Sequence, residues 1–229
     1  MRINKYIAES GACSRREADK LIEEKKVTIN GVLCELGSLV ESGDNVCIDG
    51  RPISKKKKNI YIALNKPVGI ECTTDDRVAE NIVNFVNHSE RIFPIGRLDK
   101  DSEGLILLTN DGDIVNKILR AENNHEKEYI VTVNKPITSS FIEGMSNGVK
   151  ILGVKTKPCI IRPISKKTFH IILTQGLNRQ IRRMCEVFGY RVLKLKRIRV
   201  MNIRLGRLKI GHWRNLTKNE LNELMNMLK

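Results

Sequence analysis

The chain has 229 residues, 41% of them hydrophobic and 4% aromatic, and its 41 lysines and arginines outnumber 26 aspartates and glutamates to give a formal charge of +15. That length and apolar content suffice for one sizeable domain plus a small one and exclude a disordered tail. The charge points to a polyanionic partner, nucleic acid ahead of a membrane because no basic amphipathic helix stands out.

The six cysteines (Cys13, Cys34, Cys47, Cys72, Cys159, Cys185) form no CxxC pair, and the four histidines are equally scattered. No metal site is therefore expected, and the thiols suit a reducing cytoplasm. Met1-Arg2-Ile3-Asn4-Lys5 lacks the apolar stretch of a signal peptide, and no run is long enough to span a bilayer.

In chain order, Ile3, Tyr6 and Ile7 recur at helical spacing up to Gly11, a left-handed stop. Ser14 and Glu17 have capping-box spacing for a second helix with Ala18, Leu21 and Ile22 facing inward. Arg15 and Arg16 fall in its first turn, where basic residues oppose the helix dipole. They are either solvated or meant for phosphate. Asn30-Gly31 predicts a tight hairpin, and a short strand surrounds Val46-Cys47-Ile48. From Pro52 to Asn59 apolar periodicity is lost and Lys55 to Lys58 follow one another, which reads as a linker. The expected division is thus a small α+β domain over 1–54, a basic linker over 55–59 and a larger domain over 60–229. Up to Lys58 the net charge is +3, leaving +12 for the remainder.

The larger domain opens with a strand, Ile60 to Leu64, that ends at Asn65-Lys66-Pro67, since proline removes a ladder donor. Asn81 to Val86 has helical character. Gly96 to Gly104 then reads as a loop set against the buried strand Leu105 to Thr109. Asp99 sits within it. Arg97, two residues earlier, could lie beside that carboxylate and favour its charged form, as a nucleophile or electrostatic stabiliser requires. The same residues would also serve as an ordinary solvated turn. Further on, Ile114, Val115, Ile118 and Leu119 make one helix face, and Tyr129, Val131 and Val133 alternate as a strand. Strand-like stretches follow around Cys159 to Ile161 and Phe169 to Leu173. Asn178 is the expected cap of a helix running through Ile181, Met184 and Phe188 to Gly189. From Arg179 to Lys218 there are 13 basic residues and one acidic, so this side carries a strong positive field. Val192 to Arg199 alternates partly as a strand, and Thr217 and Glu220 repeat the capping box before a closing helix. Many strands and few helices predict an α+β fold with a mixed, largely antiparallel sheet.

Four pieces in order, Leu64-Asn65-Lys66-Pro67-Val68-Gly69, Gly96-Arg97-Leu98-Asp99 with Asp101-Ser102-Glu103-Gly104-Leu105, Lys127-Glu128-Tyr129 and Gly176-Leu177-Asn178-Arg179-Gln180-Ile181-Arg182-Arg183, together resemble the RsuA family of RNA pseudouridine synthases. The amino-terminal part resembles the small RNA-binding domain named after ribosomal protein S-four, so the likeness spans essentially the whole chain. It implies that Asp99 is the catalytic aspartate, that Tyr129 stacks on the target base and that Arg182 pairs with Asp99. Arg97, Leu98, Arg179, Gln180, Ile181, Arg183 and Lys66, with Arg15 and Arg16 of the amino-terminal domain, are then the expected RNA contacts. Phe85 to Ser89 and His125 to Tyr129 look most like the branch that modifies 23S ribosomal RNA. The partner implied is that RNA or a ribosomal assembly intermediate, met by a monomer that uses no cofactor and no metal. A non-catalytic assembly factor would share the basic faces, and only the joint presence of Asp99, Tyr129 and Arg182 separates the two.

Overall fold

The computed structural model describes residues 1–54, 58–119 and 124–229. Of the expected linker, residues 55–57 therefore lie outside the described residues. The chain forms two units, one built on Met1–Ile60 and one carried by Tyr61–His88, Ile92–Thr109 and Asp113–Lys229.

In the first unit, α1 (Ile3–Ser10) ends on left-handed Gly11, and α2 (Arg15–Glu23) starts from the full Ser14–Glu17 capping box. Strands β1 (Val27–Ile29) and β2 (Val32–Leu33) turn through Asn30 and Gly31, both at positive φ. Strands β3 (Val46–Ile48) and β4 (Arg51–Ile53) turn through Asp49 and Gly50 in the same way. Pro52 and Ile53, where apolar periodicity is lost, pair with Cys47 and Val46, so the strand runs almost to the expected linker at 55. Proline is tolerated there because β4 is the sheet edge, in the order β2-β1-β3-β4. Ile3, Ile7, Ala18, Ile22, Val27 and Val46 fill a core between helices and sheet.

The second unit contains β5 (Tyr61–Lys66), α3 (Ile82–Val86), β6 (Phe93–Ile95), β7 (Glu103–Thr109), α4 (Gly112–Leu119), β8 (Lys127–Val133), α5 (Ser139–Ser146), β9 (Lys150–Ile151), β10 (Val154–Lys155), β11 (Ile160–Ser165), β12 (Thr168–Leu173), α6 (Gln180–Val187), β13 (Val192–Val200), β14 (Ile203–Arg204), β15 (Trp213–Asn215) and α7 (Lys218–Met227). Its main sheet runs β11-β12-β8-β13-β7-β5-β15, with β14 added on β13 and β6 on β7. All its pairs are antiparallel except β13 with β7. Helices α4 and α7 cover one part of it through Ile114, Ile118 and Leu224 on Ala63, Leu105, Leu107 and Ile203. Helix α5 escapes the sequence reading although Thr138 caps it and Phe141 and Met145 supply its buried face. Phe141 packs on Tyr190, Phe169 and Phe188, at ring separations of 4.2, 5.5 and 5.8 Å. No helix among the described residues is long and apolar enough to cross a membrane.

One row of residues crosses the sheet at the point that matters most. Lys66 on β5 pairs with Gly104 on β7, Gly104 with Arg197 on β13, Arg197 with Tyr129 on β8, and Tyr129 with Ile171 on β12. Paired residues share a sheet face. The row therefore sets two cations and a tyrosine on one side, and the central strand offers glycine between them. A Cβ on Gly104 would lie 2.2 Å from the Arg197 carbonyl oxygen, and its φ of +109° is hostile to any side chain. Gly104→Ala should therefore destabilise the protein by about 3 kcal/mol, read as a lowered midpoint in urea unfolding, whereas the same change at open Gly153 should cost less.

Candidate active site

The loop at residues 96–102 leaves β6, turns through Gly96 at φ +77° and re-enters the sheet at β7. The Ser102 N–H donates to the Asp99 carbonyl at 3.0 Å, closing the turn that displays the Asp99 side chain. Backbone groups on either side are also tied. The Leu98 N–H donates to the Cys72 sulfur at 3.3 Å, and the Gly69 N–H to the Lys100 carbonyl at 2.9 Å.

Three cations reach this loop or its flanks from afar. Arg182 on α6 donates through one terminal nitrogen to the Asp101 carbonyl at 3.0 Å and the Ser102 hydroxyl at 3.3 Å, and through the other to the Val192 carbonyl at 3.3 Å. Its Nε is buried without a hydrogen bond and stands 3.9 Å from Asp99 Oδ2. Arg197 donates to the Leu105 carbonyl at 2.7 Å and reaches the Arg97 carbonyl at 3.5 Å, so one guanidinium links both ends of the loop. Lys66 is wholly buried, and its ammonium donates to the Pro67 and Ile70 carbonyls, both at 2.8 Å. Burial pushes the Lys66 pKa down.

A cavity of about 560 Å³ opens beside Asp99. Its walls include Leu98, Asp99, Lys127, Tyr129, Arg179, Ile181 and Arg197. That volume is ample for one nucleoside. Tyr129 is 8% exposed. Its ring therefore forms part of a wall and not of the outer surface. Asp99 keeps 31% of its side-chain surface accessible, and its cationic neighbours within 4 Å are Arg182 and Arg179, each at 3.9 Å. Arg179 also approaches Asp101 at 3.5 Å.

Several expected roles change. Arg97 is exposed and lines the cavity, but the cations within 4 Å of Asp99 come from α6 and the residue before it, because residues 97–99 lie outside any strand and positions two apart need not share a side there. Lys66 is corrected from an RNA contact to a buried brace of backbone carbonyls. Gln180 is likewise buried at 4% exposure, where its side chain accepts from the Leu177 N–H at 2.9 Å and so shapes the loop before α6. Asn178 does not cap that helix. Arg179 occupies the cap position in a left-handed conformation, and the Asn178 side chain accepts from Arg183 at 3.1 Å. Arg183 is thereby half-buried against its own loop, while Leu98 and Ile181 are buried apolar walls of the cavity. Arg15 and Arg16 are exposed at the start of α2. Arg197 and Cys72 were missed. Their sequence signals, a basic strand and an isolated cysteine, become legible only through the register and the loop closure.

Comparison with known proteins identifies the class of the chain. The RNA pseudouridylate synthase model matches residues 60–187, and an S4 domain model matches residues 1–46. The chain belongs to the RNA pseudouridylate synthase family, within which it is of the RsuA type, and it is an enzyme of RNA modification with RNA as its partner. The "dual-specificity RNA pseudouridine synthase RluF" of Salmonella typhi is 59% identical over 99% of this chain and 79% of that relative, and the Escherichia coli K12 protein of the same name is 58% identical. The "ribosomal large subunit pseudouridine synthase B" of Bacillus subtilis is 37% identical over 97% of this chain and 95% of its own length. A crystal structure of a pseudouridylate synthase superposes with a TM-score of 0.72 at 29% identity, covering 98% of this chain and 99% of that one.

The bracing assigned to Lys66 can be checked without substrate turnover. Lys66→Met should leave the Pro67 and Ile70 carbonyls without their lysine donor and lower unfolding free energy by about 3 kcal/mol, while the salt dependence of RNA binding stays unchanged. A shallower salt slope would restore Lys66 as a phosphate contact.

Proposed function

We propose that this enzyme converts a uridine of 23S ribosomal RNA to pseudouridine, with Asp99 at the glycosidic carbon, Tyr129 against the target base and Arg182 as the cationic partner of Asp99. The observation that carries this reading is one cavity shared by Asp99 and Tyr129, with the unbonded Nε of Arg182 turned toward the carboxylate. Family membership supports the reaction, and the large-subunit designation of the Bacillus subtilis relative supports the target. The dual-specificity designation of the Salmonella relative supports a second RNA context for the same cavity. A monomer in the cytoplasm is the simplest form consistent with such a substrate.

The isomerisation breaks the bond between N1 and C1′, turns the base and rejoins it through C5, conserving every atom but one exchanged proton and requiring no oxidant. Cleavage develops positive character on the sugar, and a fixed carboxylate beside C1′ lowers that barrier by electrostatics, by covalent capture or by removing a sugar proton. A base stacked inside an RNA helix cannot reach an aspartate set in the wall of a cavity. The uridine must therefore be flipped out, with Tyr129 providing the face on which it stacks. Arg182, like Arg179, stands 3.9 Å from the carboxylate and balances its charge without a short ion pair, so Asp99 stays partly accessible to a sugar.

Asp99→Asn should fold and bind RNA with affinity within about threefold of wild type, yet lose at least about a thousandfold in pseudouridine formation. Tritium release from RNA labelled at uridine C5 reads this directly, and full activity of the variant would remove Asp99 from the chemistry. Arg15 and Arg16, exposed on α2, supply the second test. Replacing both with alanine should reduce the slope of log affinity against log salt by about 1.5, and an unchanged slope would dismiss them as phosphate contacts.

A further inference from the structure

The reaction creates a charge that Asp99 cannot answer. When the N1–C1′ bond breaks, its electron pair leaves with N1, and the detached base is a uracil anion until C5 attacks the sugar. A carboxylate offsets the positive sugar and repels that anion. A cation on the base side would lower the energy of the intermediate.

Lys127 is placed for this. It opens β8 two residues before Tyr129, so strand alternation turns both side chains to the same face, and both line the cavity with Asp99. It is half-buried, and among the described residues no hydrogen bond or ion pair engages its ammonium. The acidic residues on either side, Glu126 and Glu128, are both held by Arg199, and Glu128 also meets His170 at 2.6 Å. The buried cations around the loop are different, since Lys66, Arg182 and Arg197 are all committed to backbone oxygens. An ammonium kept in a half-buried wall without a partner is costly unless a ligand completes it.

We infer that Lys127 is a catalytic residue that donates to a carbonyl oxygen of the target base and holds the negative charge of the uracil anion while the base turns. The assignment rests on the pseudouridine synthase reading above. Electrons and atoms balance without a proton from lysine: the pair from the broken bond resides on the base, C5 returns it to C1′, and the C5 proton departs as N1 gains one from solvent. Burial first, and Arg197 second, push the Lys127 pKa below the ordinary lysine range. The charged or titratable groups that line the cavity with it are Tyr129 on the same strand, Arg197 on β13, Arg97 and Asp99 on the loop, and Arg179 before α6, while Lys66 on β5 shares the sheet face in the row of Arg197 and Tyr129. Helix α4 contributes only Ile118 and Leu119, and β12 only Leu173, while the His125 ring engages the Ile118 carbonyl at 3.2 Å.

The test is single-turnover tritium release from a C5-tritiated 23S ribosomal RNA transcript, with wild type, Lys127→Arg and Lys127→Met at saturating enzyme. Lys127→Met should slow release at least about a hundredfold while RNA affinity changes less than about threefold, and Lys127→Arg should keep at least about a tenth of the rate. The wild-type rate should fall as pH rises through the lysine pKa, persist to higher pH with arginine, and show no such fall with methionine. A methionine variant as fast as wild type, or an arginine variant as slow as methionine with the same melting temperature as wild type, overturns the assignment. Wild type that releases no tritium would instead defeat the pseudouridine reading and this assignment with it.

Discussion

The site depends on cations from distant strands and helices that satisfy the carbonyls of an irregular loop. A segment outside any helix or ladder must find other donors for its oxygens, and a buried oxygen left without one is expensive. Here Arg182 and Arg197 supply those donors to the stretch around Asp99, and Lys66 does the same for the turn beyond β5. The loop is therefore fixed through its main chain. The carboxylate it carries has no short ionic contact and remains accessible. Support of the main chain is thus separate from the side chain proposed for the chemistry.

Glycine at the middle of the sheet follows from the same requirement. Two large cations flank position 104 in one row, and the β13 backbone approaches too closely for any side chain. The single parallel pairing in the sheet occurs at this point. It lets β13 run beside β7 and deliver Arg197 beneath the loop while β8 brings Tyr129 alongside on the other flank.

Much of this was legible in the sequence. The capping boxes at Ser14 and Thr217, the Asn30-Gly31 turn, the buried run after Asp99 and the alternation around Tyr129 are local signals, and local physics decides them. Side-chain destinations were not local. Lys66 and Gln180 are polar residues next to turns and read as exposed, yet tertiary closure buries both against backbone atoms. Arg179 replaces Asn178 at the helix cap because Asn178 is engaged by Arg183. Helix α5 went unread because its apolar face amounts to two residues, Phe141 and Met145, whose value lies in an aromatic cluster assembled from other elements.

The parts of the centre are far apart along the polypeptide: Arg197 reaches the Arg97 carbonyl across 100 positions, and Arg182 reaches Ser102 across 80. Closing loops of that length is slow compared with forming hairpins and helices. The amino-terminal unit closes over shorter spans, as in the hydrogen bond from the Met1 amino group to the Val40 carbonyl across 39 positions. The two units thus differ in how much polypeptide each must gather before its core can close.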